Sequence, residues 1–176
     1  MQEIIACDID DVLADLMSVW LTKYNLEFSD SLSESDIKTW NISPYTKIGL
    51  QMFDYLKDPS IYDKVQPVEN SLWGIEKLRL LDYRIIFVTA FNAGLAGRKY
   101  QWLKEYNFDV KREDYFECVD KSLIASQYLI DDKIENVENA YGQGIIFHRR
   151  WNKDLQGYPR VKDWLDVVNY FDGGIV

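Results

Sequence analysis

The sequence predicts an α/β fold, a parallel sheet of about five strands with helices on both faces and a helical insertion after the first strand-helix unit. Three observations carry that prediction. The chain opens on a short continuous apolar run, Ile4 to Cys7, of the kind a fully buried parallel strand shows. From Pro67 onward, short β-prone runs alternate with helical apolar stripes, the pattern of right-handed β-α-β crossovers. Between those two regions, Ser29 to Pro67 is polar and turn-rich and contains no convincing strand.

In chain order, the first strand runs into the stretch IIACDIDDVLAD, Ile4 to Asp15. A helix over Val12 to Leu26 follows, because Leu13, Leu16, Met17, Trp20 and Tyr24 recur at helical spacing. The insertion carries SDSLSESD, Pro44, Pro59 and Pro67, with short helical stretches such as Ile48 to Leu56. Trp20, Tyr24, Phe28, Trp40, Tyr45, Phe53, Tyr55 and Tyr62 give it an aromatic core of its own. Pro67 suits a helix start, and Val68, Leu72, Ile75, Leu78 and Leu81 form the stripe that leads to a strand over Arg84 to Val88. That strand stops at Thr89. Gly94 to Tyr106 reads as a helix, Tyr115 to Val119 and Tyr128 to Ile130 as strands, and Ile134 to Tyr141 as a helix closed by Gly142. Ile145 to Phe147 is the fifth strand, and Val161, Trp164, Leu165 and Val168 mark a last helix before the Gly173-Gly174 tail. Residues 1–13 and 67–176 are the expected core domain, and 14–66 a helical cap.

Composition narrows the chemistry. A net charge of -9 over 176 residues argues against long nucleic acid, which needs a basic face, and leaves a single nucleotide or another small phosphate ester open. No apolar run reaches the roughly 20 residues that span a bilayer, and the first residues lack a signal-peptide pattern, so a cytoplasmic protein without a membrane partner is expected. Cys7 and Cys118, both in expected strands, read as small buried hydrophobes. His148 is the one histidine, so acid/base work falls to carboxylates.

The candidate chemistry sits at strand ends: Asp8 and Asp10 after the first, Thr89 after the second, Lys121 after the third, Asp131 and Asp132 after the fourth. In a parallel sheet these ends share one edge, where open α/β sheets bind ligands. Clustered carboxylates repel one another and call for a counter-charge, most simply a divalent metal. Mg²⁺ takes oxygen ligands, which Asp8, a backbone carbonyl at Asp10 and the Asp131/Asp132 pair can supply. Such a set suits phosphoryl transfer to a carboxylate: Asp8 attacks phosphorus, Asp10 protonates the leaving oxygen and later activates water, and Thr89 and Lys121 hold the phosphoryl oxygens.

DIDDVLAD, VTA, the isolated Lys121 and LIDDK resemble the four motifs of the haloacid dehalogenase superfamily of phosphatases. The ADL continuation of the first motif, Trp40-Asn41-Ile42 and the spacing from DKSL to LIDDK are similar to its 5'(3')-deoxyribonucleotidase branch, bacterial and phage members included. The resemblance implies a Rossmann-like sheet with the Asp8 strand central and a small helical cap. It also implies Asp8 as nucleophile, Asp10 as acid/base, Thr89 and Lys121 as phosphate ligands, and Asp131 with Asp132 at the metal.

Two departures stand out. Asp11 occupies the place of a common glycine and reads as the cap of the following helix, and Ala90-Phe91-Asn92 replaces the Ser-Pro of mammalian relatives, which makes Asn92 a candidate phosphate contact. Trp40, facing the crevice from the cap, is the candidate for stacking on a nucleobase. Arg149, Arg150, Trp151 and Asn152 read either as reaching the substrate edge or as a solvated basic turn. The expected partner is a nucleotide, bound by a monomer or homodimer. The rival phosphatase substrates are a sugar phosphate or a nucleic-acid 3'-phosphate. A receiver-type phosphoacceptor domain uses similar residues, but its lysine comes last, whereas Lys121 precedes Asp131.

Overall fold

The computed structural model describes residues 2–173; Gly174 of the expected tail lies outside them. Eleven regular elements build the frame: β1 (Ile4–Cys7), α1 (Leu16–Phe28), α2 (Ser71–Leu80), β2 (Arg84–Thr89), α3 (Arg98–Glu105), β3 (Tyr115–Glu117), β4 (Tyr128–Asp131), α4 (Ile134–Glu138), β5 (Gln143–Phe147), β6 (Arg160–Val161) and α5 (Trp164–Phe171). The sheet is parallel and its order is β3-β2-β1-β4-β5-β6. Six strands replace the expected five. The addition is β6, two residues long, and it takes Val161 out of the expected last helix. A strand that short has no alternation to read.

The pleat divides the core. Ile5, Cys7, Phe87, Ile130, Ile145 and Phe147 face a large cluster that also holds Leu13, Trp20, Trp102 and Trp164. Ala6, Ile86, Val88 and Leu129 point to the other face, where Cys118, Ile124 and Ala140 pack on them. Both faces of β1 are thus covered, which is why its residues are apolar without alternation. Gly74 of α2 lies against α5 so closely that a Cβ would sit 2.3 Å from Trp164 Cε3. Cys7 is buried as expected, whereas Cys118 is partly exposed just past the end of β3.

Helix boundaries move for local reasons. The first helix starts at Leu16 rather than Val12 because Val12, Leu13 and Ala14 all direct their N–H groups at the Ile9 carbonyl in a tight turn. Asp11 enters that turn at φ 57, a left-handed position that glycine fills without cost and aspartate tolerates. Its carboxylate still caps the helix from a distance, accepting from Met17 N at 2.9 Å. The second helix waits until Ser71 because Asn70 is also left-handed, at φ 61. The expected helix over Gly94 to Tyr106 is divided at Gly97, φ 72, into a 3₁₀ turn and α3.

Between α1 and α2 the chain forms 3₁₀ turns, Glu34–Asp36, Ser43–Tyr45, Gly49–Lys57 and Pro59–Asp63, and no strand. They are pinned to the helices by aromatic donors: Trp20 Nε1 donates to the Met52 carbonyl and Trp102 Nε1 to the Val65 carbonyl, each at 2.9 Å. Tyr24 Oη accepts from Lys47 N at 2.8 Å and donates to Asp30 at 2.7 Å.

Candidate active site

The chain leaves β1 toward β2 and β3 on one side, then returns to β4, β5 and β6 on the other. The order therefore reverses between β1 and β4, the point at which open α/β sheets leave a crevice. Register delivers the acids there. Cys7 pairs with Phe87 and Ile130, and Asp8 N donates to the Ile130 carbonyl at 2.9 Å, which brings Asp8 beside Asp131 at the C-terminal edge.

Lys121 is the central cation. Its Nζ lies 2.7 Å from Asp8 Oδ1 and 2.7 Å from Asp131 Oδ2, with the side chain only 3% exposed. A 3₁₀ turn, Lys121–Leu123, presents it, and the Asp120 side chain caps that turn on Ser122 N. Asp8 Oδ1 also accepts from Ile9 N at 2.7 Å. Asp131 receives Lys133 N at 2.9 Å and the Asn136 amide at 3.0 and 3.1 Å. Asp132 accepts from Trp151 Nε1 at 2.8 Å, and Asn152 Nδ2 holds its carbonyl at 2.8 Å. One carboxylate oxygen from each of Asp8, Asp131 and Asp132 lies within 4.8 Å of the others, and all three residues are buried.

Burial drives the Asp8 carboxyl well above the usual carboxylate range; Lys121 opposes that rise, and Asp131, Asp132 and Asp10 add to it. Asp132 is raised in the same way by burial, then by Asp131 and Asp11, against the Trp151 hydrogen bond and Lys121. Against the desolvation that burial imposes, Asp131 and Asp8 hold Lys121 protonated above its ordinary range. One ammonium thus faces three buried carboxylates. The donors are all hard oxygens, and a divalent cation would supply the missing positive charge.

Asp10 stands apart from that triad. Tyr62, from the 3₁₀ turn Pro59–Asp63, donates its hydroxyl to Asp10 Oδ1, and Lys99 of α3 places Nζ 2.5 Å from Asp10 Oδ2. The same Nζ lies 2.8 Å from Thr89 Oγ1, so one buried ammonium joins Asp10 to the end of β2. Of the other candidates, Trp40 is 44% exposed, stacks on Phe53 at 6.2 Å and carries Lys133 Nζ 4.0 Å above its ring. It therefore meets the residue after the acidic pair. Asn92 spends Oδ1 on Gly94 N at 3.0 Å, capping a turn. Arg149 Nε donates to the Asp11 carbonyl at 2.5 Å, and Arg150 is exposed. Trp151 and Asn152, read as part of a substrate-edge or basic turn, are instead buried behind Asp132.

Lys99, Tyr62, Asn136 and the supporting role of Trp151 were not legible as site residues. Lys99 had a usable signal: Leu95, Lys99, Trp102 and Leu103 share one helical face, and a lysine on an apolar stripe needs a buried partner.

The parallel sheet, with an acid cluster, a lysine and a threonine converging at its switch point, has the fold of haloacid dehalogenase-like hydrolases. Solved structures share the fold. A haloacid dehalogenase-like hydrolase from Burkholderia xenovorans superposes with a TM-score of 0.64 at 13% identity, covering 100% of both chains. A hydrolase of the same type from Bacillus subtilis, solved bound to magnesium, gives 0.64 at 12% identity over 97% of this chain and 99% of that one. The family model described as 5' nucleotidase, deoxy (pyrimidine), cytosolic type C, matches residues 2–171, so the chain belongs to this family and is a phosphoric monoester hydrolase. It is 32% identical to a 5'(3')-deoxyribonucleotidase of Clostridium acetobutylicum, over 91% of this chain and 89% of that protein. It is 30% identical to one of Bacillus subtilis, over 95% and 97%.

Proposed function

We propose that this chain is a Mg²⁺-dependent phosphatase that hydrolyses the phosphomonoester of deoxyribo- or ribonucleoside monophosphates through an aspartyl-phosphate on Asp8. The single observation that supports it most is the buried Asp8–Lys121–Asp131 array, with Asp132 beside it, inside a chain whose relatives are deoxyribonucleotidases. Asp8, Asp131 and Asp132, with the Asp10 carbonyl, would hold the metal, which when bound offsets the like charges of the acids and the phosphate.

The remaining work belongs to the side chains. Oδ1 of Asp8 is engaged by Ile9 N and Lys121, which leaves Oδ2 for attack on phosphorus. As that bond forms and the ester P–O bond breaks, Asp10 passes its proton to the departing oxygen. In the second half Asp10 takes a proton from water, the water oxygen bonds to phosphorus, and the Asp8 acyl-phosphate bond breaks to release inorganic phosphate. Lys121 and the Thr89 hydroxyl hold the equatorial oxygens throughout. Residues 14–66 serve as the cap that chooses the substrate, with Trp40 against the base.

A phosphate-release screen with Mg²⁺ over deoxy- and ribonucleoside monophosphates, sugar phosphates and a 3'-phosphorylated oligonucleotide tests the substrate. Nucleotides should lead; parity with sugar phosphates would refute the assignment.

A further inference from the structure

We infer that Lys99 and Tyr62 are positioning residues that jointly aim the Asp10 carboxyl group, and that Lys99 also orients the Thr89 hydroxyl. The inference rests on Asp10 being the acid/base proposed above. Each Asp10 oxygen has its own donor: Tyr62 Oη reaches Oδ1, and Lys99 Nζ reaches Oδ2 at 2.5 Å. The two donors come from segments far apart in sequence, one from the inserted segment before β2 and one from α3 after it. The Lys99 ammonium also lies over the Tyr62 ring, 6.0 Å from its centre.

The clamp is anchored on both sides. Tyr62 packs edge-on against Trp102, 6.0 Å away, and Trp102 fixes the chain after Tyr62 through its bond to the Val65 carbonyl. Next to the two donors, Arg98 pairs with Asp63 at 3.1 Å, a second link between the same two segments. Lys99 itself is 3% exposed, although a lysine seldom accepts burial without a task for its charge. Its second bond, to Thr89 Oγ1 at 2.8 Å, uses a lone pair of the hydroxyl. The Thr89 hydrogen is then free to donate, which is the role a phosphoryl ligand needs. A single ammonium therefore sets the proton-transfer group and one phosphate ligand at a fixed separation.

Leaving-group dependence tests this. A nucleoside leaves as an alkoxide and needs the proton from Asp10, whereas the phenolate of p-nitrophenyl phosphate departs without one. Lys99→Met and Tyr62→Phe should each lower kcat/KM on a deoxynucleoside monophosphate at least about tenfold more than on p-nitrophenyl phosphate, since misplaced proton transfer forfeits part of a factor of about 10² to 10⁴. Lys99→Arg, which keeps the charge and donors, should recover part of the nucleotide activity. Equal losses on both substrates in the folded variants would overturn the inference, because general structural damage does not sense the leaving group. Circular dichroism checks folding, and if Lys99→Met fails to fold, Tyr62→Phe decides with the same readout. Asp10→Asn is run beside them. If it shows no leaving-group selectivity, the acid/base reading of Asp10 falls; if it alone shows selectivity, only the positioning roles fall.

Discussion

Lys121→Met removes the one ammonium that the structure places between Asp8 and Asp131 while keeping most of the side-chain volume. Both partners are nearly or fully buried, with side-chain exposures of 8% and 0%, so solvent cannot replace the lost charge. Removing one member of such a buried pair costs about 3–5 kcal/mol, because the remaining carboxylates stay desolvated and uncompensated. Urea denaturation in chelator should show that loss against the unsubstituted protein. Excess Mg²⁺ should then restore much of it, since a cation bound only by the folded state stabilises by RT ln(1 + [L]/Kd), about 2.7 kcal/mol at 100 times Kd. Turnover should not return with stability, because the phosphoryl oxygens would still lack the ammonium proposed to hold them. A loss below about 1 kcal/mol in chelator would refute the reasoning, since surface ion pairs cost no more than that. So would a variant that Mg²⁺ fails to stabilise.

Asp8→Asn should fold normally and lose turnover, and acid quenching during turnover should trap no phosphoenzyme; substantial residual activity would sink the covalent mechanism. Chelation of the unsubstituted protein should stop phosphate release and Mg²⁺ should restore it, whereas full activity in excess chelator would contradict the metal proposal. Trp40→Ala should raise KM for nucleotides about 5- to 150-fold, the equivalent of about 1–3 kcal/mol of base stacking, and change p-nitrophenyl phosphate far less. Equal effects on the two substrates would remove Trp40 from the base subsite.

What the sequence disclosed and what it hid follow from the geometry of a parallel sheet. Thr89 and Asp131 end strands and Asp8, Lys121 and Asp132 follow them, and a strand end fixes its own position because register and strand order bring all such ends to one edge. The donors around Asp10 obey no such rule. Tyr62 lies in a 3₁₀ turn within a segment that has neither helical nor strand periodicity, and its side chain resembles those of the neighbouring aromatics that only fill the cap. Its partner Asp10 is 52 residues away, and Lys99 is 89 residues from Asp10, so no local pattern couples them. The same limit hid β6, which exists because His148 N and Ile146 N bond to carbonyls at Val161 and Pro159 rather than through any propensity of its own. Asp11 shows the converse case. A residue in an acidic cluster invites a chemical role, yet its left-handed backbone and its bond to Met17 N assign it to the turn that starts α1. Asp8 and Asp10 are consequently separated into two environments, one facing Lys121 and the acid pair, the other facing Lys99 and Tyr62. Two carboxylates two residues apart therefore meet different partners, as the separate roles proposed for them require.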